Sequence, residues 1–238
     1  MSEIRAWFEG LPVLTRHWFG FSVAFPLLGW LGVLPIQYCI LSRDFLWKFH
    51  VWRPITALFY YPLRGAGFHF LTNLYFLYSY SIRLENETFS GRTADYLFML
   101  TFNWTMTTLI AYFMSIPLLM DAMVMSIMYV WCQLNKDVVV SFWFGTRFKA
   151  ALLPWVLLAF NVVMSGGGIM EIIGIVVGHL YYFLMYAYPD EHGGDRYLET
   201  PSIFYSYFPT SSSRTGSSQN QPRRTGYSWG GGHVLGRD

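Results

Sequence analysis

The feature that most constrains this chain is the length of its uncharged apolar runs. His17 to Ser42 and Gly65 to Ile82 contain no Lys, Arg, Asp or Glu. Tyr96 to Asn135 contains one acid, Asp121; Ala150 to Met170 and Ile172 to Tyr188 contain none. A charge held at mid-bilayer costs roughly 2.5–3.5 kcal/mol on insertion scales, so such runs mark segments built for hydrocarbon. About 20 helical residues cross it. The run from Tyr96 is therefore two spans with a turn near Ser115-Ile116-Pro117, and Ser165-Gly166-Gly167-Gly168 parts the last two. The reading is six spans, roughly 18–37, 67–83, 96–115, 118–135, 150–165 and 170–188, with the fourth short.

Composition agrees. Charged residues are 13% against 54% hydrophobic and 20% aromatic, too few charges to clothe a soluble fold of this size. That excludes a cytosolic enzyme and a disordered scaffold. A net charge of +2 is too small a field for a nucleic-acid binder. Two cysteines, Cys39 and Cys132, make no disulfide framework.

Orientation follows from the basic residues. Six spans put both termini on one side, with Arg5, Arg16, Arg83, Arg92, Lys136, Arg147, Lys149 and five tail arginines. The other side has only Arg43, Lys48, Arg53 and Arg64. Twelve against four places both termini in the cytosol. No small-residue cleavage site follows the first run, so it reads as a retained anchor. The expected organisation is a cytosolic segment 1–17, a membrane domain 18–188 and a cytosolic tail 189–238. Asn86-Glu87-Thr88, a glycosylation sequon, falls on the cytosolic side.

Residues 38–66 form the one sizeable far-side loop. Its aromatic and apolar residues alternate with Arg43, Lys48 and Arg53, which suits a segment lying at headgroup depth. Val138 to Thr146 is a similar interfacial piece on the cytosolic face. Within the spans, His69 and Asn73 lie one turn apart on one helix face; Asp121 opens span four, and Glu171 and His179 lie in span six. Buried polar groups in lipid need partners, so these face the bundle or a wet cavity, either as structural hydrogen bonds or as a site. Gly174-x-x-x-Gly178 is a small-residue packing face. Two histidines without ligand spacing give no metal site, and no cofactor motif is present.

Trp52-Arg53 in the first loop, His69-x-x-x-Asn73 and Gly174-x-x-x-Gly178 with His179 resemble the six-span core of the rhomboid proteases. That resemblance implies an all-α, rhomboid-like helical bundle. The rhomboid nucleophile, Gly-x-Ser-Gly at the start of span four, is missing: the chain reads Pro117-Leu118-Leu119-Met120-Asp121 there. Trp52, Arg53, His69, Asn73, Gly174, Gly178 and His179 are then structural remnants, and none is catalytic. The alternative is a residual intramembrane serine protease using Ser126.

Longer strings are similar to the Derlin family: WRPITA at 52–57, NLYFLY at 73–78, ADYLFML at 94–100, YVWCQLN at 129–135, SFWFGTRFKA at 141–150, LPWV at 153–156 and GHLYYFL at 178–184. Derlins are catalytically dead rhomboid relatives of the endoplasmic reticulum (ER). The resemblance implies a multi-pass ER membrane protein in the unfolded protein response and in ER-associated degradation. It would help misfolded clients retrotranslocate to the cytosol, beside a membrane ubiquitin ligase complex, as a homo- or hetero-oligomer. Residues from about 210 are Ser-, Gly- and Arg-rich and are expected to be a disordered tail. Its end, with Trp229, Gly230, Gly232, Leu235 and Gly236, is similar to the SHP box of such tails, which binds the valosin-containing AAA ATPase. The aromatic stands one place late.

Overall fold

The computed structural model describes residues 2–45, 48–63, 65, 67–141, 145–191 and 198–208. The expected docking segment around Trp229 to Gly236 lies outside them. The elements in chain order are α1 (Ser2–Glu9), α2 (Val13–Trp30), α3 (Ile36–Cys39), α4 (Arg53–Phe59), α5 (Gly67–Arg83), α6 (Thr93–Met114), α7 (Met120–Leu134), strands β1 (Val139–Ser141) and β2 (Arg147–Lys149), α8 (Leu153–Ser165), α9 (Ile169–Tyr182), α10 (Tyr188–Glu191) and α11 (Ser202–Tyr207). Single π turns extend α5 over Leu84–Thr88 and α9 over Phe183–Ala187.

Helices α2, α5, α6, α7, α8 and α9 overlap the apolar runs, with α6 and α7 dividing the one from Tyr96 to Asn135. Two of these segments, Thr93–Met114 and Ile169–Ala187, are each long and apolar enough to cross a membrane by length and composition. Met120–Leu134 and Ala150–Met164 are shorter apolar helices. Helix α2, in place of the first expected span, begins at Val13, five residues before the expected 18, and stops at Trp30. Gly32, with φ at +76°, and Pro35 turn the chain there. The structure is mostly helical, as expected; a short antiparallel pair, β1 with β2, adds to it, with Val140 opposite Phe148. A β-branched Val-Val-Val followed by a glycine turn favours strand over helix.

The bundle is arranged around α7, buried continuously from Ala122 to Cys132. Three methionines, Met123, Met125 and Met128, fill its irregular contacts. Helix α9 lies directly against it. A Cβ at Gly174 would overlap the Ala122 carbonyl oxygen, and one at Gly178 would sit 2.6 Å from the Ser126 carbonyl oxygen. Glycine at both places is therefore a condition of the contact. Helices α5 and α8 flank α7 on other faces and barely touch each other.

Polar networks tie the two ends. At one end the π turn after α5 swings Glu85 inward, where its carboxylate accepts from the Leu14 and Thr15 amides at 3.0 and 2.8 Å and from the Thr15 hydroxyl at 2.7 Å. An anion thereby satisfies the free N–H groups that open α2. Because Thr15 gives its proton to Glu85, Ser81 donates to Thr15 and Tyr96 donates to Ser81. Asp95, in the first turn of α6, accepts from Thr200 and Tyr205, which clasps the described end of the chain to that helix. At the other end, the first loop is sewn to the α6–α7 turn by Leu41 N–H to the Pro117 carbonyl (2.8 Å) and Leu119 N–H to the Ala57 carbonyl (3.1 Å).

Candidate functional site

Three helices that run in one direction, α5, α7 and α9, begin at the same end of the bundle. Each carries an ionisable side chain in its first turn: His69, Asp121 and Glu171. The amino ends of α7 and α9 favour the two carboxylates, since the free N–H groups there carry partial positive charge. Asn73, one turn below His69, donates to Asp121. Its amide nitrogen also stands 3.2 Å from His69 Nδ1, and the Tyr61 hydroxyl stands 2.7 Å from the same atom. With the Asn73 amide oriented by the Asp121 carboxylate, Nδ1 receives protons and the histidine carries its own on Nε2. That nitrogen faces Glu171 Oε1 at 3.8 Å. Asn161 of α8 donates to the same carboxylate oxygen at 2.7 Å. Burial, together with the negative field of Asp121 and Glu171, pushes the Tyr61 phenol up, so it stays a donor.

All of these groups except Asn73 line one cavity of about 590 Å³. Its other walls are apolar, with Phe68, Phe160, Met164 and Met170 among them. It narrows to a crevice of about 10 Å³ that continues between α5 and α8 over α7, past Asn73, Phe76, Met128 and Leu157. The arrangement can accept and donate hydrogen bonds inside an apolar groove open along one side. Among the described residues, no group of three or more His, Cys, Asp or Glu could hold a metal ion.

The remaining expected residues lie elsewhere. His179 sits two turns further along α9, exposed, with Nδ1 2.8 Å from the Tyr129 hydroxyl, so it does not share the His69 cavity. Gly174 and Gly178 form the α7–α9 seam. Trp52 precedes α4, its ring against His50 at 4.8 Å, and the Arg53 guanidinium donates to the Ser42 hydroxyl. The loop they belong to is held by the Trp104 indole N–H, which donates to the Pro54 carbonyl at 3.0 Å. Ser126 is fully buried in α7; its hydroxyl donates to the Met123 carbonyl at 2.8 Å and accepts from Asn103 at 3.2 Å. A nucleophilic serine needs a base within hydrogen-bond reach, and neither partner is one.

Sequence reasoning singled out His69, Asn73, Asp121 and Glu171 as polar residues in apolar runs but did not join them. It missed Asn161 and Tyr61. Asn161 had a signal, a lone amide in the uncharged stretch from Ala150 to Met170. Tyr61 had none, being one of 17 tyrosines.

The geometry defines a class first: a mostly helical bundle with long apolar helices, built on a glycine seam, with a carboxylate–histidine cavity at one end. Residues 11–202 match the Der1-like family, and the chain belongs to it, among the derlins. It is 53% identical to human Derlin-1 over 212 residues, covering 88% of this chain and 84% of that protein. Derlin-1 of Caenorhabditis elegans is 47% identical over 239 residues, 97% of this chain and 96% of the relative. Derlin-1 of Drosophila melanogaster is 39% identical over 245 residues, 99% and 100% respectively.

Proposed function

We propose that the chain is a non-enzymatic, six-span component of the ER membrane that helps misfolded proteins cross to the cytosol for degradation. Both termini are cytosolic in this reading. The observation that carries it is the polar cavity at one end of the α5–α8 groove, in a bundle whose central helices are short. Helix α7 has 15 residues and α8 has 13. At about 1.5 Å per residue they span about 22 and about 20 Å, against a hydrocarbon core of about 30 Å. Lipid beside α8, whose outer face carries the exposed Trp155, Val162 and Val163, must thin or admit water, at fractions of a kcal/mol per Å. A polar segment of a client then meets hydrogen-bonding groups at a depth where lipid offers none.

Energy for net movement comes from outside the chain, which has no phosphate-binding Gly-Lys-Ser/Thr segment. The segment around Trp229 to Gly236 docks the AAA ATPase, and a membrane ubiquitin ligase complex receives the client. Photo-crosslinking tests the path. With a probe at Thr72 or Phe160, adducts with a stalled client are expected; a probe at Val163, which is 82% exposed on α8, is expected to yield none. Equal adducts from all three positions, or from none, would refute the groove as the path. Deleting 228–238 is expected to abolish ATPase co-purification while leaving membrane insertion intact.

A further inference from the structure

The groove between α5 and α8 has a second opening, at the far end of α5 from the His69 cavity. There a separate cavity of about 310 Å³ is lined by Ser79, Tyr80, Arg83, Val140, Ser141 and Leu153. Phe76 belongs both to this cavity and to the mid-groove crevice, so the two adjoin. The strand β1 supplies one wall and the start of α8 the other.

Arg83 is the cation of this cavity. Its guanidinium lies over the Trp131 ring, 5.0 Å from the centroid, and 5.8 Å from that of Tyr80. Such stacking orients the planar head and leaves its N–H edge free. Among the described residues no carboxylate pairs with Arg83, and no hydrogen bond engages it. Lys149, by contrast, is paired with Asp137 at 2.9 Å and Arg92 with Asp95 at 3.7 Å. The Ser79 and Ser141 hydroxyls beside Arg83 likewise have no hydrogen-bond partner among the described residues. An oriented guanidinium and two free hydroxyls, beside the exposed Tyr75 and Val139, match an oxyanion carried on a hydrocarbon chain.

We infer that the Arg83 cavity binds the phosphate of an anionic phospholipid of the cytosolic leaflet, with its acyl chains in the surrounding lipid past the exposed Tyr75. The lipid occupies the groove's cytosolic mouth at rest, and a client leaving by that route displaces it. This rests on the six-span orientation proposed above, which sets the end of α5 at headgroup depth. A free phosphate offers the same oxyanion; the exposed Tyr75 and Val139 lining the cavity favour the lipid.

Native mass spectrometry of the full chain, delipidated and then supplied with phosphatidylserine or phosphatidylcholine, tests it. Phosphatidylserine is expected to be retained about fivefold better, the ratio that about 1 kcal/mol per basic residue at a charged surface corresponds to. Arg83→Gln is expected to abolish the preference. Ser79→Leu, which fills the cavity and leaves the guanidinium, is expected to lower phosphatidylserine retention as well, whereas Arg147→Gln on exposed β2 leaves it unchanged. Thermal unfolding of each variant confirms folding; should Arg83→Gln fail to fold, Ser79→Leu carries the test. Equal retention of the two lipids by the unaltered protein, a preference that survives Arg83→Gln or Ser79→Leu, or glycerophosphoserine binding as tightly as the lipid overturns the inference. The crosslinking at Thr72 and Phe160 reads the client path separately, so either idea can fail alone.

Discussion

Glu85 shows how one side chain can fix the entry of a helix into the bundle. Its carboxylate takes two backbone amides and a hydroxyl, and the hydroxyl chain through Ser81 to Tyr96 depends on that acceptance. Removing an acceptor while its buried donors remain costs about 1–3 kcal/mol. Glu85→Ala is therefore expected to lower stability by about 2–3 kcal/mol, read as thermal unfolding in micelles, and Glu85→Gln by less, since an amide oxygen still accepts. Nothing in the sequence marked Glu85, which sits among the polar residues of a short loop; the π turn that points it inward is a product of packing. His69 and Asn73 were legible because helical spacing puts them on one face. Their joining to Asp121, Glu171 and Asn161 was not, since it depends on how four helices are rotated about their axes.

At the scale of elements, the glycine seam was the most readable feature. Small residues four apart predict a close helix contact, though not its partner; the structure supplies α7, from Ala122 to Tyr129. Inserting bulk into a packed contact costs typically about 1–3 kcal/mol. Gly178→Leu is expected to reach or exceed the upper figure, because the obstruction is the backbone carbonyl of Ser126, which cannot rotate aside. Ile172→Leu, on an exposed position of the same helix, is the control and is expected to melt with the parent protein. The β1–β2 hairpin was read only as an apolar interfacial piece. Strand character there needs a partner ten residues away, and periodicity in one short run does not reveal it.

For the whole molecule, the apolar runs located α2 and α5 to α9 and the turns between the later pairs, while the start of α2 and the short α4 of the first loop emerged only from tertiary contacts. The proposed orientation is open to a direct check. Asn86 is exposed at the outside of the π turn, so burial does not hide it from glycosylation. In the proposed topology it is expected to stay unmodified, and an endoglycosidase-sensitive mass shift would reverse the orientation of every span.

The clasp of Thr200 and Tyr205 on Asp95 has a mechanical meaning. Traction applied to the chain beyond residue 208 is taken up in part by α6, through these two hydrogen bonds. In the reading proposed above, an ATPase pulling on that end loads α6, so its pull does not fall directly on α5 and α8 on either side of the groove.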